Sequence, residues 1–293
     1  MHFDGGVAAA GLIVGFVVGL TGMGGGALMT PILVLIFNVQ PLAAVSSDLV
    51  ASVIMKPVGA GVHLRRGTVH KELVRWLVIG SVPSAFLGVI ILKQLGHGDA
   101  VQNNLKLALG IALLVASASI VAKTALQAFR PVAREHHGPL AVKPVPTALI
   151  GVAGGLVVGM TSVGSGSLMI VMLLLLYPML SASELVGTDL VQAIPLVASA
   201  ALGHLLFGDF KLGLTASLLV GCLPGVYIGA RVSAKAPDRI IRPALVFALL
   251  ASALKLLNEP TTALGITLGV AAVFGLPAFY WLSNRPTRVP VDA

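Results

Sequence analysis

The chain alternates long apolar runs with short polar clusters, and the runs come in two kinds. Those at 42–64, 70–92, 101–122, 184–207, 211–232 and 238–257 are each long enough, as helices, to cross a hydrocarbon core of ~30 Å. Two others are interrupted: glycines separate 5–21 from 27–37 and 146–161 from 167–180. A last apolar run covers 261–283. The pattern predicts an all-α polytopic membrane protein.

The interruptions carry the most information. Residues 19–31 read GLTGMGGGALMTP, with five glycines among 19–26, and glycine weakens a helix by roughly 1 kcal/mol per residue relative to alanine. Unsatisfied backbone in lipid is costly, so such a break survives only where it is buried in protein or lines a wet cavity. It is also repeated. Residues 159–171 read GMTSVGSGSLMIV and match at Gly19/Gly159, Thr21/Thr161, Gly24/Gly164, Gly26/Gly166, Leu28/Leu168 and Met29/Met169. With a one-residue slip the match continues through Asp48/Asp189, His63/His204, Gly80/Gly221, Pro83/Pro224 and Gly88/Gly229. Apolar sequence matches itself readily at Leu, Val and Ala but seldom at Asp, His and Pro in one register, so the chain reads as a duplication. Paired breaks in corresponding places of two halves point to a transporter core. The expected organisation is a first membrane repeat at 1–122, a cytoplasmic linker at 123–145, a second repeat at 146–257, and an extra C-terminal transmembrane helix and tail at 258–293.

Charge sets the orientation. The 293 residues are 57% hydrophobic and 10% charged, with mean hydropathy +0.99, which excludes an ordinary soluble domain. The net charge of +8 sits in short clusters between apolar runs, as in cytoplasmic loops, and does not indicate nucleic acid. Of the 19 Lys and Arg, fourteen lie at 65–75, 123–143, 231–242 and 285–288, against Lys93, Lys106, Lys211 and Lys255 at the opposite ends and Lys56 within a run. With the rich loops inside, 42–64 runs out-to-in and 184–207 in-to-out, so the fold class is two inverted repeats. Each repeat is a glycine-broken helix pair plus three transmembrane helices, with one extra C-terminal helix. The N-terminus is then outside and the C-terminus cytoplasmic. The first four residues, MHFD, lack a basic leader region, so the first run is expected to be retained rather than cleaved. The single cysteine, Cys222, permits no intrachain disulfide and no zinc set. No cofactor or metal is implied.

If the short helices beginning near Ala27 and Ser167 aim their N-termini at a central cavity, their free N–H groups suit an anion. Thr21, Thr161, Ser162, Ser165 and Ser167 add hydroxyls, and Gly22, Gly24, Gly25, Gly26, Gly164 and Gly166 permit close approach to the backbone. The competing reading is that these glycines only allow close helix packing. Within 42–64, Asp48, Ser52, Lys56 and His63 fall within an arc of about 80° of a helix, a polar stripe facing the bundle interior. Intramembrane charges are functional candidates by default. Asp48 and Asp189 are placed either to exchange protons or to cap the broken helices. Lys56, matched by Val197 in the second half, contacts substrate or pairs with Asp189. His63 and His204 are coupling candidates, or simply hydrogen-bonding residues at helix ends. Gln192, one turn after Asp189, is a cavity candidate, and Pro57, Pro83, Pro195 and Pro224 are expected to kink their helices.

The elements GLTGMGGGALMTP, GMTSVGSGSLM, AVSSDLV and LVGTDLVQAIPL resemble the TauE/SafE sulfite exporter family, within the 4-toluene sulfonate uptake permease group, over about 5–257. The resemblance implies a secondary carrier of sulfite or small organosulfonates, coupled to protons, in the bacterial cytoplasmic membrane. Its partners would be that anion, protons and the lipid bilayer, with a homo-oligomer left open. Carried over by residue, it marks Gly22 to Gly26, Gly164 and Gly166 at the breaks, and Ser47, Asp48, Thr188 and Asp189 in the elements that follow. Ser46-Ser47 stands where many members have Gly-Thr, and GSGS replaces a second triple glycine. Two other classes compete. A channel shares duplicated breaks. A membrane-embedded enzyme would need a catalytic cluster such as HExxH, and the chain has none.

Overall fold

The computed structural model describes residues 4–21, 25–94, 98–129, 140–232, 238–275, 277–278 and 281. Among these the protein is helical, without a named strand: α1 (Gly5–Thr21), α2 (Gly26–Leu35), α3 (Pro41–Arg65), α4 (Lys71–Gln94), α5 (Asp99–Phe129), α6 (Pro144–Thr161), α7 (Leu168–Leu176), α8 (Ala182–Phe207), α9 (Leu212–Val232), α10 (Asp238–Leu256) and α11 (Thr261–Val270). Six of them, α3, α4, α5, α6, α8 and α9, are long and apolar enough to cross a membrane. Local sequence explains most of their limits. Pro144 opens α6 in the first turn, where a missing N–H costs nothing. Ser181 and Glu184 form a reciprocal capping box at the start of α8. The prolines at 57, 83, 195 and 224 all lie inside helices.

One limit differs from the sequence reading. Helix α5 runs on to Phe129, into the stretch expected to be linker, because VAKTALQAF is rich in strong helix formers. Within the expected C-terminal helix at 261–283, the described residues are α-helical over Thr261–Val270, form a π-helical turn over Ala271–Gly275, and are helical again at 277, 278 and 281. Gly265, Gly269 and Gly275 weaken the regular ladder there.

Packing follows small residues. A Cβ added at Gly11 would lie 2.9 Å from the Leu218 carbonyl, and one at Gly88 would lie 2.8 Å from the Leu156 carbonyl. Gly11, Gly15, Gly221, Gly225 and Gly229 bring α1 and α9 together backbone against backbone, and Gly80, Gly88, Gly151, Gly155 and Gly159 do the same for α4 and α6. Without competing apolar attraction in lipid, such close approach is what holds helices together. Along both pairs the contact partners advance together, Gly11 on Leu218 and Gly229 on Phe16, Gly80 on Ala148 and Gly88 on Leu156. The helices within each pair are therefore parallel. By contrast α3 and α8 are antiparallel: Ser46 meets His204, Gly59 meets Leu190 and His63 meets Gly187. Helices α5 and α10 are also antiparallel, with Gly110 against Ala253 and Ser117 bonded to Val246. The contacts thus join the first part of the chain to the second, and of the polar stripe of α3 they bury Asp48, Ser52 and Lys56 and leave His63 half-buried.

Candidate functional site

Both glycine breaks end against α3. In the second, α6 stops at Ser162, whose φ of 60° is left-handed, and Gly164 and Gly166 have φ of 126° and 91°. Those two angles need glycine, and they fold Val163 to Ser167 into a compact buried turn before α7. Thr161 Oγ1 donates to the Val157 carbonyl at 2.6 Å and also accepts from the Val163 N–H at 3.2 Å, which satisfies a backbone donor just past the helix end. In the first break, Gly25 is the N-cap of α2 and Ala27 is half-buried. Gly22, Gly24 and the side chain of Thr21 lie outside the described residues.

The two breaks touch. A Cβ at Gly26 would overlap the Ser162 carbonyl, and one at Gly25 would lie 3.2 Å from Met55 Cε and 3.9 Å from Asp48 Oδ1. Gly26 therefore serves close packing of break on break, where an open central cavity was one expectation. A cavity of about 220 Å³ lies elsewhere, lined by Leu42, Val89, Leu92, Lys93, Gln102 and Phe207 among others, and none of the predicted site residues borders it.

Asp48 is fully buried. Its Oδ2 accepts from Ser162 Oγ at 2.6 Å and from Thr30 Oγ1 at 3.2 Å, one donor from each break's neighbourhood. Its Oδ1 is buried without a hydrogen-bond partner among the described residues, as are Ser47 Oγ and Ser167 Oγ. Two turns along α3, Lys56 Nζ donates to Ser165 Oγ at 2.6 Å. Its ammonium lies in the field of Asp189 first and Asp48 second. Asp189 Oδ1 accepts from Gln192 Nε2 at 3.0 Å, and Gln192 in turn accepts from Ser81 Oγ at 3.4 Å. The Gly166 amide also acts on the Asp189 carboxylate. The Lys56 ammonium thus shares a buried polar cluster with two carboxylates: Ser165 accepts its hydrogen bond, hydroxyls donate to Asp48, and Gln192 donates to Asp189. Charge-assisted bonds of this kind are the strong ones, and removing one partner leaves a costly buried charge.

The remaining predicted residues stand apart. His63 Nδ1 bonds Thr68 Oγ1 at 3.0 Å, and Thr188 Oγ1 accepts the His70 N–H at 3.1 Å, both where the end of α3 meets the start of α8. His204 is buried between Ser46 Oγ at 2.9 Å and the Gly159 carbonyl at 2.8 Å, so it satisfies a carbonyl near the end of α6. Sequence reasoning passed over Thr30, Ser46 and Ser81. Thr30 had a signal, a lone hydroxyl one turn into the apolar helix GALMTPILVL; the partners of Ser46 and Ser81 are distant in sequence. It also missed the hydrogen bond between His70 Nε2 and Glu184 Oε1 at 2.8 Å. Among the described residues, no group of three His, Cys, Asp or Glu side chains is placed to hold a metal ion.

Comparison with known proteins matches residues 7–256 to the family described as "Sulfite exporter TauE/SafE". The chain is 40% identical over 248 residues to the "Probable membrane transporter protein YjnA" of Bacillus subtilis (strain 168), covering 84% of this chain and 97% of the relative. It is 22% identical over 243 residues to "Probable membrane transporter protein YdhB" of the same strain, covering 80% and 91%. It is 26% identical over 253 residues to "Probable membrane transporter protein YunE", also of that strain, covering 79% and 89%. No solved structure matches the chain. The chain belongs to the TauE/SafE family of membrane transporters.

Proposed function

We propose that this TauE/SafE family member is a proton-coupled secondary carrier that exports sulfite or a small organosulfonate across the bacterial cytoplasmic membrane, and that it is not an enzyme. The observation that carries the reading is the meeting of both breaks with the buried charges of α3: Ser162 on Asp48 and Ser165 on Lys56. An anion near the midplane needs donors that bury no second full charge, and oriented backbone N–H groups with hydroxyls supply them. Gly24 to Ala27 and Gly164 to Ser167 are the proposed anion-binding stretches, with Thr21, Thr161 and Ser162 beside them. Substrate entering between Lys56 and Ser165 would take over the ammonium that Ser165 now engages.

Asp48 and Asp189 are assigned the coupling protons, supported by Ser47, Thr188 and Gln192, with His63 and His204 at the two ends of the α3 and α8 pair. Two inverted repeats are the architecture in this reading. The antiparallel pairing of α3 with α8, and of α5 with α10, supports it, since inverted copies of one helix run in opposite directions. The Lys and Arg distribution supports an orientation with the N-terminus outside and the C-terminus in the cytoplasm.

The test is uptake of labelled sulfite and a panel of sulfonates into proteoliposomes, with and without a pH gradient. Accumulation against the anion gradient when a proton gradient is imposed is the expected result. Flux that only dissipates the gradient would make the protein a channel, and no flux of any tested anion would overturn the substrate class.

A further inference from the structure

We infer that the moving parts do not coincide with the two halves of the sequence: α1 and α9 form one body that slides against a second body of α3, α4, α6 and α8, along the seam between α3 and α9. The inference rests on the carrier reading and asks which contacts such a carrier can break.

The two parallel pairs are each one unit. In α1 and α9, and again in α4 and α6, glycines from both helices set backbone on backbone, so neither helix can slip along its partner without lifting off it. Around the second pair, side-chain bonds add more helices. Ser199 Oγ donates to the Val82 carbonyl at 2.7 Å, Ser81 Oγ donates to Gln192 Oε1 at 3.4 Å, and His204 bonds the Gly159 carbonyl at 2.8 Å; together they tie α8 to α4 and α6. Helix α3 joins them through Ser46 on His204, Asp48 on Ser162 and Lys56 on Ser165.

The duplication shows what stands at the corresponding places on the other side. In that register Gln192, Ser199 and Ser81, which bond between α8 and α4, are matched on α3 and α9 by two apolar side chains and a thiol, Ala51, Val58 and Cys222; Ala51 and Cys222 are buried and Val58 is exposed. His204, which reaches the Gly159 carbonyl, is matched by His63, which bonds Thr68 at 3.0 Å instead. The two seams are therefore built unequally: side-chain hydrogen bonds join α8 to α4, whereas among the described residues no side-chain hydrogen bond joins α3 to α9. Apolar contact is non-directional and tolerates sliding, whereas a directional bond breaks. Interfaces of this kind shift by discrete steps because packed side chains interdigitate. Break one is carried between the bodies, since its helix α1 belongs to the sliding body while Thr30 of α2 is bonded to Asp48 in the other.

Pulsed electron resonance distances between spin labels, in lipid nanodiscs and in a Cys222→Ser background, test the division. Ile13→Cys with Leu212→Cys lies within the α1 and α9 body, Ile79→Cys with Leu149→Cys lies within the α4 and α6 unit, and Leu212→Cys with Ile79→Cys spans the two; all four positions are exposed. Both internal pairs should keep one distance at acidic and alkaline pH, with and without sulfite. The spanning pair should split or shift by about 5 Å, one helical turn. An internal pair that moves as much as the spanning pair, or a spanning pair that stays single under every condition, overturns the inference. The distances need no transport, so a parent that moves no tested anion sinks the carrier reading and leaves the two-body division to be decided by the labels.

Discussion

Ser162 Oγ donates to Asp48 Oδ2 at 2.6 Å, joining the residue that ends α6 to a buried carboxylate 114 positions earlier. Its only other hydroxyl donor among the described residues is Thr30 at 3.2 Å. Ser162→Ala should therefore destabilise the folded protein by about 1–3 kcal/mol, the cost of an under-satisfied buried acceptor. Heating the purified protein with a thiol-reactive dye reads this directly, because Cys222 is fully buried and reacts only on unfolding. A melting temperature equal to the parent's would show that the bond contributes nothing.

Glycine positions separate packing from tolerance. Gly26→Ala places a methyl on the Ser162 carbonyl, whereas Gly265 has open space around its Cβ. The first substitution should cost several-fold in flux or in folded yield, and Gly265→Ala should leave both unchanged. Normal flux from Gly26→Ala would mean that the two breaks separate freely.

Lys56→Met keeps most of the side-chain volume but removes the donor to Ser165 and the buried positive charge. An effect on anion binding should appear as a KM raised on the order of tenfold, the size of one lost charge-assisted bond. Backbone donors at the breaks remain, so transport should persist at high substrate. Loss of folded protein without any change in KM would assign Lys56 to structure alone.

The coupling assignment predicts a change of pH profile. Asparagine at 189 retains an acceptor for Gln192 but cannot gain or lose a proton, so Asp189→Asn should transport with a flattened dependence on pH while remaining folded. Asp48→Asn should do likewise, or abolish net flux while leaving exchange of anion for anion. Unchanged profiles in both variants would make the aspartates caps of the breaks.

Orientation is checked with impermeant thiol reagents on intact cells after Cys222→Ser. Asp209→Cys should label and Arg66→Cys should not, because Lys and Arg cluster around 65–75. The reverse pattern would invert the topology.

The sequence by itself determined the helical elements, the two breaks and the interior stripe of α3. Those features depend on local energies: apolar length, the helix cost of glycine, and a 100° step between residues that puts Asp48, Ser52 and Lys56 on one face. The match of Asp48 to Asp189 and of His63 to His204 was also legible there, as a common register of two stretches of sequence. Where α5 stops was less legible, since boundaries follow propensities that differ by fractions of a kcal/mol. Only the tertiary structure decided which half each charge meets: Asp48 is bonded to Ser162 and Lys56 to Ser165, both in the second half. It also decided that Gly26 packs on Ser162 and that His204 holds the Gly159 carbonyl. Such contacts depend on the direction in which two distant helices cross, and nothing local encodes that. It emerges when glycine faces from the two halves interlock, α1 on α9 and α6 on α4, and bring the breaks together over the buried charges of α3.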